Sequence, residues 1–562
     1  MDKTELQKQM EELEQVVSNK VECFHFNKKD GSEKWNEIIE PIMVEITYYD
    51  ADDRIVDFKE RELFRSIIEM IFKSADIVTV LVESGHIDEA YTDTYYNYFS
   101  GLHFQPSKYC KRFSFFQGKI TKKCFLQKES HEDLQSNLIG TMVVRPLKYG
   151  FIGRTLLDPA KLAWNDSKED IYIRTAKFTQ HILGVEFTID AFPFCSQDSS
   201  FMTCAEVTIL NLMEYYAMRY HSYKKVLPSD IKNLSQQYQY ERVTPSAGLT
   251  YLVVSKILSE FGFTPRLYNR ESVKIHPLVG DERENEIKRI MHYYVESGIP
   301  VAVNVESKEG DLREGHSLLC IGHAGGLDEE RAQKYAMVRR NGKHEVINSA
   351  DFYVQYCVID DRQKPYEIRE YDRMSTFSDM IISNLAVPLN KKMYLEAKYA
   401  YDIFYQIFND KNLGLTSWKI PKEYLAENDP VVMRIYQASS RSYRSFKITA
   451  YDDSYNNRKE KFAELKLPQF VWCCEFFRYK QYVSEDRKAF ANIILDATAS
   501  LKNDYMGAVI AIETVDTLFR IARNGSKEKK LILSNMEKLE EGRNLLLPIY
   551  DCNLTRYDCG EC

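Results

Sequence analysis

Three residues of this 562-residue chain have types and an order suited to acyl chemistry: Cys204, His316 and Asp360. A thiolate attacks a carbonyl carbon. An imidazole carries the thiol's proton to the leaving group, and a carboxylate behind the ring holds it in one tautomer. Gln197 adds a fourth part. Its side-chain amide, beside the backbone N–H of Cys204, would give two donors for an oxyanion. His316 lies 112 residues after Cys204, and Asp360 lies 44 after His316.

Each of these residues sits where a recognisable element begins or ends. Residues 194–216 read F-C-S-Q-D-S-S-F-M-T-C-A-E-V-T-I-L-N-L-M-E-Y-Y. Val207, Ile209, Leu210, Leu212, Met213 and Tyr216 recur at spacings of three and four, which predicts a helix with a wide buried face. Thr203 is the expected N-cap, so Cys204 falls in the first turn, where unpaired amides and the positive helix end favour thiolate. G-H-S-L-L-C-I-G-H (315–323) predicts a buried strand that His316 opens, and F-Y-V-Q-Y-C-V-I (352–359) predicts a second that ends at Asp360-Asp361. An insertion at 325–340 leaves Asp361 and Asn348 as alternative orienters of the ring.

Taken together, Q-D-S-S-F-M-T-C-A-E-V, E-G-H-S-L-L-C-I-G-H and Y-C-V-I-D-D resemble the papain-like cysteine peptidases. The bacterial branch that processes bacteriocin leader peptides is the part of that family they look like. The resemblance covers roughly residues 190–365. It implies an α+β papain-like fold, a helix packed on an antiparallel sheet, with thiol catalysis on an acyl or amide bond. Carried over by position, it makes Cys204 the nucleophile, His316 the general base and acid, Asp360 the orienter and Gln197 the oxyanion donor. The chain departs from the family in the seven-residue step from Gln197 to Cys204, one more than usual, and in Ala205 where glycine is common. Those departures motivate a second reading, an inactive scaffold that binds a protein partner. A third keeps the thioester but hands it to an amine, as a thiol acyltransferase or transglutaminase does.

Other candidates read as structural. Cys195 shares the loop, but no helix start follows it. His323 ends the strand that His316 opens and is expected at the surface or behind the site. His103, in an aromatic-rich stretch without metal-spaced partners, is expected in the core. Arg145 and Arg154 are expected in ion pairs, and G-F-I-G (150–153) lacks the Lys-Ser/Thr of a phosphate loop. Asp496 reads as a strand terminator. Cys552, Cys559 and Cys562 lack the fourth ligand of a zinc site. No cofactor and no metal are therefore expected.

Hydrophobic residues make up 44% and charged residues 28%, an ordinary balance for a globular protein. The formal net charge of -8 argues against nucleic acid as a partner. The N-terminal stretch is charged, and no apolar run reaches membrane-spanning length, so a cytoplasmic protein with free thiols and no membrane partner is expected. The expected partners are a peptide or protein substrate and a regulatory protein.

Further elements follow in order: a charged helix over 3–20, a strand over 41–49, a helix over 61–82 and a strand pair over 140–159. Helices are predicted over 229–238, 248–261, 285–297, 393–408 and 527–546, the last capped by Ser526. Strands are predicted over 299–305, 335–340, 431–449, 469–477 and 489–497. These pieces give an N-terminal α/β region (1–185), a catalytic core (186–385) and a C-terminal α+β region with antiparallel strands (386–562), interlocked in one body.

Overall fold

A computed structural model describes residues 20–28, 58–103, 105–163, 169–240, 242–245, 248–270, 283–307, 315–325, 346–374, 380–410, 430–500, 505–515, 517–523, 531–538 and 546–557. The expected elements at 3–19, 41–49 and 335–340 lie outside these residues, as do Ser526, Cys559 and Cys562.

The chain is α+β, built on three larger sheets that are antiparallel but for one strand pair. The first has five strands in the order Val21–Asn27, Ile77–His86, Cys110–Gln117, Leu138–Val144 and Ile152–Leu157. The helix Phe58–Phe72 places Leu63, Phe64, Ile67, Ile68 and Ile71 in one core with Val80, Phe113 and Phe115 of that sheet. These positions are one face of a 3.6-residue period.

The central sheet runs Glu367–Glu370, Gln355–Ile359, Gly315–Ala324, Val301–Ser307, Met380–Val387 and Arg266–Asn269. Ile171–Ile173 pairs with Gly315–Ala324 on one side and with Thr555–Tyr557 on the other. Residues far apart in the chain thus share one sheet. Its alternating side chains divide between two cores. Ala302, Leu319, Ile321, Ile359 and Ala386 join the core that holds the helix Cys204–Arg219. Val303, Leu318, Cys320, Val358 and Leu385 join the core that holds the helix Arg283–Glu296.

The C-terminal sheet has seven strands: Val346–Asn348, Val431–Ser439, Phe470–Arg478, Ala491–Asp496, Val509–Thr514, Thr517–Arg523 and Leu531–Lys538. Only its first pair is parallel among the described strands. A buried ionic network fastens it to the central sheet. Glu296, at the end of its helix, accepts from Arg434 Nε at 2.7 Å and from His323 Nε2 at 2.9 Å. Arg434 also donates to Glu475 at 2.8 Å.

Several expectations are corrected here. Only the first part of 61–82 is helical, and Ile77–His86 is a strand whose Val78, Val80 and Val82 are buried. In 431–449 the strand stops at Ser439, whose side chain caps a new helix, Ser440–Thr449, by accepting from the Ser442 amide. The helix expected over 527–546 is replaced by the strand Leu531–Lys538, paired with Thr517–Arg523. His103 is exposed, not in the core. Arg154 pairs with Glu214 as expected, but Arg145 donates instead to the carbonyls of Ser196 (2.8 Å) and Ile152 (3.1 Å). Asp496 caps its own turn, accepting from the Thr498 amide at 2.8 Å.

Removing one member of a buried ionic network leaves charges without partners, at a cost of about 3–5 kcal/mol. Glu296→Ala should lower unfolding stability by about that much in a denaturant titration. A loss below about 1 kcal/mol, the size of an exposed pair, would contradict the role given to this network.

Candidate active site

The helix Cys204–Arg219 begins on the candidate nucleophile. Thr203 is the extended N-cap, and the capping is reciprocal. Glu206 accepts from the Thr203 amide at 2.6 Å and from its hydroxyl at 2.5 Å, while its other oxygen pairs with Lys232. Glu206 is fully buried, so the helix start is fixed from inside the protein. Val207, Ile209, Leu212, Met213 and Tyr216 form the predicted buried face. Cys204 itself is half-buried.

The loop before it is equally constrained. One oxygen of Asp198 accepts from the amides of Ser200 (2.9 Å), Phe201 (2.6 Å) and Met202 (2.9 Å). Ser199 takes a left-handed φ of 57° inside that turn. Gly150 lies against the loop with φ 69°, and a Cβ there would meet the Gln197 carbonyl oxygen at 2.4 Å. Only glycine allows that approach. Gln197 is half-buried at this contact. The turn of the first sheet therefore supports the segment that carries the candidate oxyanion donor.

His316 is the second residue of its strand, opposite Val305. Thr208, one turn into the cysteine helix, donates to the Ser317 carbonyl at 3.2 Å and locks helix to strand. Leu319 lies opposite Ile359, so the next residue, Asp360, falls on the same sheet face as His316. The His316 Nε2 donates to Asp360 Oδ1 at 2.7 Å, and the Arg362 amide donates to the same oxygen at 3.0 Å. Nε2 thus carries a proton. Cys204 lies on the other side of the same ring, near enough to favour its charged form. Nδ1 makes no hydrogen bond of good geometry and is the nitrogen left for the thiol.

Burial alone would lower the basicity of His316. The charge and hydrogen bond of Asp360 overcome this, with help from Cys204 and the Asp361 charge, and hold the imidazole well above its usual range. Burial works against ionised Asp360 as well, but the His316 charge and hydrogen bond hold that carboxyl below its ordinary value. Asp361 behaves oppositely. Its Oδ1 is 3.5 Å from His316 Nε2, and both its oxygens lack a hydrogen bond of good geometry. Burial raises its carboxyl, to about 7, with the imidazolium opposing and Asp360 adding to the rise. One carboxylate is ionised and one is poised to hold a proton.

His316, Asp360 and Asp361 are also the one group among the described residues whose metal-ligand atoms lie within 4.8 Å of one another. The Nε2 that would bind an ion is already engaged by Asp360.

The structure brings Cys204, His316 and Asp360 together and seats Gln197 in the loop leading to the thiol. It separates the alternatives. Asn348 donates to the Tyr293 hydroxyl and caps a turn at the edge of the C-terminal sheet, so it does not orient His316. Cys195 is buried against Asn211, and burial pushes its thiol up to about 12. His323 is buried with Glu296, not at the surface. Sequence reasoning missed three supporting residues: Asp198, Glu206 and Gly150. Glu206 had a signal, the Thr-x-x-Glu box at 203–206. Gly150 had none, because its partner lies some fifty residues away.

No family model, curated protein or solved structure matches this chain. No helix among the described residues is long and apolar enough to cross a membrane.

A carboxyl raised in the folded state favours the protonated protein, so its contribution to stability falls as pH climbs from the unfolded value near 3.8 to the folded one near 7. Asp361→Asn should remove that slope. The variant should therefore gain on the wild type between pH 4 and 7 in unfolding midpoint, and hold a constant lead above pH 7. Parallel curves for the two proteins would contradict the raised carboxyl.

Proposed function

We propose that this chain is a papain-like cysteine hydrolase, acting as a peptidase on a peptide or protein substrate. One observation carries the reading: a buried imidazole is held by the Asp360 carboxylate on Nε2, and its free Nδ1 is left for a thiol at a helix start. The helix against an antiparallel sheet supports the papain-like comparison, as does the order Gln197, Cys204, His316, Asp360.

The chemistry follows from those groups. His316 takes the Cys204 proton, and Asp360 stabilises the positive ring that results. Sγ attacks the carbonyl carbon, and the oxygen becomes an anion facing the Cys204 amide and the Gln197 side chain. The C–N bond breaks as His316 gives its proton to the departing amine. Water then attacks the acyl-thioester, losing a proton to His316. The acid leaves, and Sγ regains its proton from the ring. Asp360 stays ionised throughout and keeps the ring in register. The reading places the protein in the cytoplasm, where its cysteines stay reduced.

Cys204→Ala should abolish iodoacetamide labelling at that position and lower turnover of a peptide substrate by about 10³-fold or more. In the wild type, mass spectrometry should find Cys204 alkylated ahead of the exposed Cys552, whose thiol burial and Asp551 raise. Unchanged turnover in the variant would end the proposal. Amide products on addition of a primary amine would move the reaction from hydrolysis to acyl transfer.

A further inference from the structure

A cavity of about 680 Å³ opens at the end of the cysteine helix away from the thiol. Tyr216, Arg219 and Tyr220 of its last turns form one wall, and the strand end and helix start at 437–442 form another. Sixteen helical residues span about 24 Å, so this space is separate from the thiol. Its volume lies in the range of small-molecule sites.

The charge of the lining is one-sided. Arg174, Arg219 and Arg441 line the cavity, and no aspartate or glutamate does. This happens in a chain whose net charge is -8. Arg174 donates to the carbonyls of Cys552 (2.7 Å) and Asn553, and Arg219 donates to the Thr175 carbonyl at 2.9 Å. Carbonyls orient a guanidinium without neutralising it. Among the described residues none of the three arginines pairs with a carboxylate, and Arg441 is exposed. Three uncompensated guanidinium groups around one cavity suit a multiply charged oxyanion, which they can grip in a bidentate manner.

Flat apolar surface lies beside the charge. Arg219 stacks over the Tyr220 ring at 5.7 Å, and the rings of Tyr216 and Tyr220 are 5.6 Å apart. Phe470 lines the same cavity. Such rings accept a planar group by stacking.

We propose that this cavity binds a phosphorylated small molecule with a planar ring, of the nucleoside phosphate class. The arginines take the phosphates and the tyrosines face the ring. The proposal is independent of whether Cys204 is a nucleophile.

Calorimetric titration of the full chain with ATP, GTP and UTP at physiological salt tests it. At least one should bind one site per chain with a dissociation constant of about 100 μM or tighter. Arg441→Glu, on an exposed side chain, should weaken binding at least tenfold while leaving the melting temperature of the free protein unchanged. Should that variant melt early, Arg219→Gln gives the same reading with one charge removed. Absence of saturable binding by all three nucleotides would overturn the proposal, as would affinities unmoved by both substitutions. Equally tight binding of tripolyphosphate would overturn the part played by the ring.

Discussion

The site depends on one contact between buried groups, the 2.7 Å hydrogen bond from His316 to Asp360. Both side chains are almost wholly removed from water. An imidazole in that setting would normally stay neutral, and an isolated carboxylate would resist ionisation. Each makes the charged form of the other tolerable. The pair places a proton-carrying ring where only one nitrogen remains for Cys204. Asp361 sharpens the arrangement, because two adjacent buried carboxyls beside one imidazolium do not both ionise freely.

The rest of the molecule holds that contact in place from three directions. The central sheet divides its side chains between two cores, so His316 and Asp360 sit on a wall packed from both faces. The cysteine helix is pinned at its start by Glu206 and docked to the His316 strand by Thr208. The loop before it is gathered by Asp198 and rests on Gly150 of the first sheet. Among the described residues the C-terminal sheet contributes no group to this site. It joins the central sheet through Arg434, Glu296 and His323, and so stiffens the back of the wall.

Much of this was legible in the sequence where the signal is local. The cysteine helix announced itself by apolar spacing, and the two strands by short apolar runs bounded by His316 and Asp360. The failures have local causes too. At 431–449 an apolar strand runs straight into a polar helix, S-R-S-Y-R-S-F-K-I-T, and the capping Ser439 between them was passed over. At 531–538 the alternation in L-I-L-S-N-M-E-K was outweighed by flanking charge, and pairing with Thr517–Arg523 decided the outcome. His323 looked terminal on its strand, yet a helix from another part of the chain supplies Glu296 to cover it. Gly150 against Gln197 is a contact between distant segments, and no pattern near either residue announces it; Asp361, open in the sequence as an alternative orienter, lies 3.5 Å from the His316 ring.

The central claim is that His316 is an imidazolium held by Asp360 and facing Cys204. Nitrogen NMR of the histidine-labelled protein, followed through pH, measures that state directly. The account predicts that His316 keeps both ring protons well above pH 6.5, and that Asp360→Asn brings its titration down. A His316 ring that titrates at or below the ordinary histidine value, and is indifferent to the Asp360 substitution, would contradict it.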